Sequence, residues 1–195
     1  LQGEFLEQPY LFLYHPERST LKAKLDSLLT HQAQLYTLDS QGSALYQLNN
    51  QDSLPKPSKG LLTLLRMVSQ DSKNSENCWD PSTGILYDGW SFSSSRATIK
   101  DSVDISALLE NVGMSKFILS DNLIRKAKTG LKVNLSEYGQ TLALAQVALL
   151  LQKLGIQNFF LQVGKYTLAN GVNERQELWK LKSTYPDSLG VAQEG

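Results

Sequence analysis

The sequence predicts an α+β fold in which helices pack on one face of a mainly antiparallel sheet. Helical and strand hydrophobic periods alternate irregularly along the 195 residues, and no internal repeat is visible. With 41% hydrophobic residues, the chain is long enough to bury a sizeable core. We therefore expect a single domain over residues 1–195, with two tightly joined halves as the alternative.

In the first half, an aromatic and aliphatic run at residues 9–15 predicts a strand. Residues 20–34 predict a helix with one apolar core stripe, because leucines recur at spacings of three and four. That stripe consists of Leu21, Leu25, Leu28 and Leu29. A loop with two prolines, residues 51–59, precedes a second amphipathic helix at residues 61–68. The polar residues 69–77 are expected to form a surface connector.

In the second half, residues 79–92 combine turn formers with aromatics, and residues 104–111 predict a short helix. Strands are expected at residues 116–120, 122–128, 131–135, 157–163 and 178–181. Ser136 is predicted to cap a long helix through Leu154, which Gly155 ends. Its apolar residues, which include Leu149, spread so widely around the axis that we expect the helix to be deeply buried.

The charge balance and the cysteine count exclude several classes of function. Lys plus Arg and Asp plus Glu number 19 each, so bulk charge recruits neither nucleic acid nor an anionic membrane surface. No apolar run reaches the length of a membrane span. The single cysteine, Cys78, excludes an internal disulfide framework and a multi-cysteine zinc site.

Four segments share their order and spacing with a known family. They are residues 43–49 (SALYQLN), 78–92 (CWDPSTGILYDGWSF), 133–143 (VNLSEYGQTLA) and 154–171 (LGIQNFFLQVGKYTLANG). Together they resemble the FAD:protein FMN transferase (ApbE) family. The second segment is the strongest match and aligns without a gap to the family pattern A-F-D-P-T-V-G-P-L-V-x-L-W-G-F. The matching positions are Asp80, Pro81, Gly84, Leu86, Trp90 and Phe92.

The resemblance implies a specific chemistry. Members of this family bind FAD, use magnesium, split the pyrophosphate and attach FMN to a threonine or serine hydroxyl of a target flavoprotein. Such a reaction needs a divalent ion to neutralise phosphate charge and carboxylates to hold that ion. The resemblance therefore implies FAD and magnesium as cofactors, a flavoprotein target or another protein as partner, and an extracytoplasmic location, either periplasmic or lipid-anchored.

The resemblance also assigns site residues. Cys78, Trp79 and Asp80 lie where the family contacts the flavin nucleotide. Asn134 stands where the family has an aspartate that contacts the cofactor, and Gln140 replaces a lysine or glutamate. These five residues are the candidate cofactor-binding set, without an assigned catalytic or metal-binding residue. As alternatives, the Asp80 carboxylate caps its own turn and the Trp79 ring fills the core.

Other positions depart from the family pattern. Residues 164–166 read Gly-Lys-Tyr where the family has Gly-Gly-acid, and we expect the family's C-terminal metal-ligand segment to be lacking. Losing several charged groups from a phosphoryl-transfer site removes much of its transition-state stabilisation. The sequence therefore favours a noncatalytic flavin- or protein-binding relative. The alternative is an FMN transferase whose missing carboxylates come from elsewhere.

Overall fold

The computed structural model describes residues 1–16, 18–38, 40–89, 105–181, 184–186 and 192–194. Its helices are Leu21–Tyr36 (α1), Ala44–Asn50 (α2), Lys59–Asn74 (α3), Gly84–Gly89 (α4), Ile105–Leu109 (α5) and Ser136–Lys153 (α6), with a 3-10 turn at Met114–Lys116. Its strands are Gln2–Phe5 (β1), Gln8–His15 (β2), Ser53–Pro55 (β3), Phe117–Leu119 (β4), Leu123–Lys126 (β5), Asn158–Val163 (β6), Tyr166–Asn170 (β7), Thr184–Pro186 (β8) and Ala192–Glu194 (β9). These strands pair antiparallel with one another, which confirms the predicted α+β class.

The chain divides into two compact units. The first unit comprises residues 1–28 and 140–195, and the second comprises residues 29–139. The first unit contains a four-stranded sheet in the order β1-β2-β6-β7 and the separate hairpin β8-β9. Its longest register runs from the pair Tyr10 and Val163 to the pair His15 and Asn158. The expectation of a single domain stays a prediction.

The second unit contains a three-stranded sheet in the order β3-β5-β4. Its core is mainly aliphatic and includes Leu45, Leu48, Leu61, Leu65, Ile124 and Val133, each of which is fully buried. Ser43 begins α2 by accepting a hydrogen bond from Tyr46 N at 2.9 Å, and its own hydroxyl donates to Thr37 O at 2.6 Å. The first family-like segment is therefore a capped helix that buries two leucines.

The predicted long helices are confirmed, with one correction. α1 buries Leu21, Leu25 and Leu29 as its leucine spacing predicts, and Gly155 follows α6 with a φ of 75°. The prediction that α6 is deeply buried is wrong for one side of the helix, because Leu149 is 54% exposed. The buried apolar residues of this helix are Ala143, Leu144, Val147, Ala148 and Leu151.

The second amphipathic helix is longer than predicted. α3 is capped by Ser58, whose hydroxyl accepts from Leu61 N at 3.2 Å, and it continues to Asn74. Most of the polar side chains of residues 69–74 lie on the exposed side of this helix, where Gln70 Nε2 donates to Asn74 Oδ1 at 2.8 Å, while the small Ser72 is buried. The connector predicted for residues 69–77 is therefore wrong over most of its length. The loop predicted at residues 51–59 contains β3 and the first residue of α3.

Two predicted strands are wrong. In residues 131–135 only Lys132 makes a β-bridge, with Thr83. The backbone of the next residue, Val133, is bound by the side chain of Asn49 instead of by a strand. In residues 178–181 only Leu178 makes a bridge, with Val172. The turn-rich residues 79–92 contain the short helix α4, and positions 90–92 lie outside the described residues. The strands predicted at residues 116–120, 122–128 and 157–163 are confirmed as β4, β5 and β6.

Candidate functional site

The carboxylate of Asp80 is engaged by three protein donors. Its Oδ1 accepts from the backbone N and the hydroxyl of Ser82, at 2.8 and 2.5 Å, and its Oδ2 accepts from Met114 N at 3.1 Å. The Ser82 hydroxyl oxygen in turn accepts from Gly113 N at 2.5 Å. Asp80 therefore closes its own turn, as the capping alternative proposed, and fastens the loop that carries Trp79 to the start of the 3-10 turn.

Asn134 joins the second family-like segment to the third. Its backbone N donates to Pro81 O at 2.8 Å, which places the two segments side by side. Its side-chain Oδ1 accepts from Ser136 N at 3.0 Å at the start of α6. Ser136 is thus the first helical residue rather than the predicted cap, and the amide of Asn134 supplies the capping oxygen. A neutral amide performs this task as well as a carboxylate does.

Beside Asp80 lies a stacked aromatic pair formed by Trp79 and Tyr138. The ring centroids are 5.5 Å apart, the planes are inclined by 25°, and Trp79 is 37% exposed. The Tyr138 hydroxyl donates to Asp71 Oδ2 at 3.0 Å; burial, with the help of this hydrogen bond, raises the pKa of Tyr138 to about 12. Ser75 Oγ accepts from Trp79 N at 3.1 Å. Trp79 is therefore held at the surface, and the alternative that it fills the core is wrong.

Cys78 is an exposed free thiol beside the aromatic pair. Its backbone N donates to Ser75 O at 2.9 Å, and the two residues before it, Glu76 and Asn77, have φ values of 54° and 62°. Two successive left-handed residues turn the chain sharply at the end of α3, where Asn77 N donates to Ser72 O at 2.9 Å. This turn directs the chain into the second family-like segment.

Gln140 lies in the first unit, beside the glycine of the fourth family-like segment. Gln140 is only 7% exposed, and its Oε1 is 3.1 Å from the position that a Cβ on Gly164 would occupy. Gln8 Oε1 is 3.0 Å from the same position, and Gly164 has a φ of 54°. The β6–β7 turn therefore requires glycine twice over, for its conformation and for its space. Beyond it, the Lys165 ammonium lies 5.3 Å from the centroid of the Tyr166 ring.

The structure thus brings Cys78, Trp79, Asp80 and Asn134 together within the second unit, and sets Gln140 against Gly164 within the first. Their assignment to flavin stays a prediction.

Sequence reasoning assigned no role to Asn49, although this residue ends the first family-like segment. Its Nδ2 donates to Val133 O and its Oδ1 accepts from Val133 N, each at 2.8 Å. The side chain therefore replaces a partner strand for Val133, which is fully buried. We call this pair of hydrogen bonds the Asn49 clamp. The two residues are 84 positions apart, so no local pattern reveals it.

Lys126 is a second residue that the sequence did not single out. It is 7% exposed, and its ammonium donates to Asn49 O at 3.0 Å. The pKa of Lys126 is lowered to about 8, mainly by burial; Asp52 opposes this shift and nearby Lys132 adds to it. Strand alternation is the signal that would have found it, because Lys126 shares a face of β5 with the buried Ile124.

The described residues do not fit a magnesium site. Both oxygens of Asp80 are occupied by protein donors, and Asn134 offers a neutral oxygen that already caps α6. Within the described ranges, no three His, Cys, Asp or Glu side chains are grouped to hold a metal ion. In the same ranges, none of the helices has the length and apolar character needed to cross a membrane.

Solved structures with a similar fold are flavin transferases and a related protein. The flavin transferase ApbE from Vibrio cholerae superposes with a TM-score of 0.86 at 22% identity, over 100% of this chain and 66% of that one. The flavinyl transferase ApbE of Pseudomonas stutzeri, in its apo form, gives 0.81 at 17% identity over 100% and 64%. The ApbE protein from Thermotoga maritima gives 0.74 at 15% identity over 95% and 62%.

The chain thus spans about two thirds of the length of these structures. No curated protein matches the sequence significantly. The model of the ApbE family, however, matches residues 7–194, nearly the whole chain. With the order of its four segments and this fold, the chain belongs to the ApbE family.

Proposed function

We propose that this chain is a noncatalytic, flavin-binding member of the ApbE family, and that the aromatic pair is the platform for the isoalloxazine ring. The observation that carries this proposal is the exposed Trp79 ring, stacked on Tyr138 beside the Asp80 loop. A flat, apolar ring system binds well on such a surface, and a stacked aromatic contact contributes about 0.5–1.5 kcal/mol beyond its buried area. The hydrogen bond from Asn134 N to Pro81 O anchors the loop that carries Trp79.

Two features favour binding without transfer. The Asp80 carboxylate is already engaged by three donors, and position 134 carries an amide in place of a charge. Removing one group that stabilises a developing charge costs about 3 kcal/mol of transition-state stabilisation in characterised enzymes. In this proposal the aromatic pair binds the flavin, while Asp80 and Asn134 do not supply the free charges that phosphoryl transfer needs.

The second candidate function is the transfer of FMN from FAD to a threonine or serine hydroxyl of a target protein, with magnesium. Family membership and the similarity to solved flavin transferases favour this candidate. It requires carboxylates from residues outside the described ranges or from a partner protein. A flavoprotein partner and an extracytoplasmic location are proposals that rest on the family resemblance alone.

Titration with FAD, with and without magnesium, tests the proposal. We expect calorimetry and flavin fluorescence to show micromolar binding that does not depend on magnesium. Trp79→Ala should weaken binding about tenfold, which corresponds to the loss of about 1.4 kcal/mol of stacking. The matched control is Leu178→Ala, which removes a 76% exposed apolar side chain outside the aromatic pair and should leave the affinity unchanged.

Each outcome decides between the candidates. Magnesium-dependent binding, together with release of AMP from FAD, would favour the transferase. The absence of binding at millimolar FAD would contradict both flavin proposals and leave protein binding as the function to test. An unchanged affinity in Trp79→Ala would contradict the platform while leaving flavin binding intact.

A further inference from the structure

A continuous set of hydrogen bonds connects the buried Lys126 to the candidate site within the second unit. The Lys126 ammonium donates to Asn49 O, and the Asn49 side chain binds both backbone groups of Val133. The next residue, Asn134, donates its N–H to Pro81 O in the loop that carries Trp79. This loop is therefore hydrogen-bonded to the residue that follows the Asn49 clamp, and the backbone carbonyl of Asn49 accepts from the Lys126 ammonium.

Lys126 loses its proton at a lower pH than an ordinary lysine does. Asp52 favours the ammonium form, whereas burial and the neighbouring Lys132 disfavour it, so its pKa is about 8 instead of the ordinary 10.5. Lys132 is itself ion-paired with Asp88. A hydrogen bond from an ammonium is roughly twice as strong as one from a neutral amine. The contact with Asn49 O therefore weakens as pH rises through 8.

We propose that Lys126 is a positioning residue for the candidate flavin site, acting through the Asn49 clamp, and that loss of its proton loosens the Val133–Asn134 backbone. The effect of Lys126 on the clamp is independent of any ligand. The consequence for flavin rests on the proposed function.

The sign of the pH effect separates this role from a merely structural one. Because the folded protein lowers the pKa of Lys126, the unfolded chain binds more protons between pH 8 and 10.5. The contribution of Lys126 to global stability therefore rises with pH in that window. The clamp is expected to loosen as the pH rises through 8, so loss of the same proton loosens the clamp locally while global stability rises.

Nuclear magnetic resonance of the whole chain tests the positioning role without any ligand. Between pH 6 and 9.5, the amide signals of Val133 and Asn134 should shift together with a midpoint near pH 8. The protection factor of the Val133 amide proton, corrected for its intrinsic exchange rate, should fall about tenfold across the midpoint, as loss of a charge-assisted hydrogen bond predicts.

Two variants complete the test. Lys126→Met should abolish both changes, whereas Lys128→Met should retain them. Lys128 lies two residues further along the chain, is about half exposed, and pairs with Glu110 at 2.6 Å, so its removal changes the charge without touching the clamp. Stationary Val133 and Asn134 signals in the unmodified protein would overturn the proposal, even if Lys126→Met failed to fold. Persistence of the titration in folded Lys126→Met would overturn it equally.

A final measurement extends the result to the ligand. If FAD binds, its dissociation constant should rise about tenfold over the same pH range in the unmodified protein and stay constant in Lys126→Met. A pH-independent dissociation constant in the unmodified protein would overturn the positioning role while the proposed function stands. If FAD does not bind at any pH, the proposed function fails, and the amide signals alone decide whether Lys126 controls the clamp.

Discussion

The Asn49 clamp and the aromatic pair lie in the same unit but differ in almost every physical respect. The clamp joins a half-buried side-chain amide to the fully buried residue Val133, with each hydrogen bond at 2.8 Å. The aromatic pair exposes more than a third of Trp79. The comparison shows that the side chains of Asn49 and Asp80, two residues of the family pattern, hold backbone segments in place, whereas the Trp79 ring remains exposed at the surface.

The largest expected effect comes from breaking the clamp. Asn49→Ala leaves the buried N–H and C=O of Val133 without their partners, so the free energy of unfolding should fall by about 2–4 kcal/mol. Urea denaturation measures this change. The matched control is Asn50→Ala at the next position, where the exposed side chain donates to Tyr46 O at 2.9 Å and its loss should cost less than about 1 kcal/mol. Equal losses of unfolding free energy in the two variants would contradict a stabilising role of the clamp beyond that of an exposed side-chain hydrogen bond.

In the first unit, the corresponding position with little tolerance for change is Gly164, in the β6–β7 turn. Gly164→Ala introduces a Cβ within 3.0 and 3.1 Å of two glutamine oxygens, at a φ of 54°. We expect a loss of about 2 kcal/mol, of which about half comes from the left-handed backbone. Gly155→Ala is the matched control, because its φ is 75° and its Cβ would meet nothing within 4 Å. Because both glycines are left-handed, the difference in free energy of unfolding between the two variants measures the crowding at Gly164. Equal losses in the two variants would contradict that crowding.

These contrasts also explain what the sequence could predict. The leucine spacing of α1 and the extent of α6 were readable because each depends on neighbours three and four residues away. The strand predicted at residues 131–135 was wrong because the partner of Val133 is a side chain 84 residues distant. Tertiary hydrogen bonds of this kind leave no periodic signal.

The candidate site shows the same limit. The sequence placed Cys78, Trp79 and Asp80 in one segment by resemblance, but it did not distinguish a capping carboxylate from a ligand-binding one. That distinction depends on Met114 N, which lies 34 residues away. The stacking of Tyr138 on Trp79 is likewise tertiary. The burial of Lys126, by contrast, could have been predicted locally, because strand alternation places it on the same face of β5 as Ile124.

The smallest expected effect lies at the turn that leads into the aromatic pair. Glu76 is exposed and has a φ of 54°, so Glu76→Gly should relieve left-handed strain and raise the free energy of unfolding by about 0.5 kcal/mol. Asn77→Gly is the matched control: asparagine tolerates a φ of 62° well, and little gain is expected. Thermal denaturation of both variants measures the difference. A loss of stability in Glu76→Gly would mean that the Glu76 side chain, rather than the backbone of this turn, stabilises the approach to Trp79.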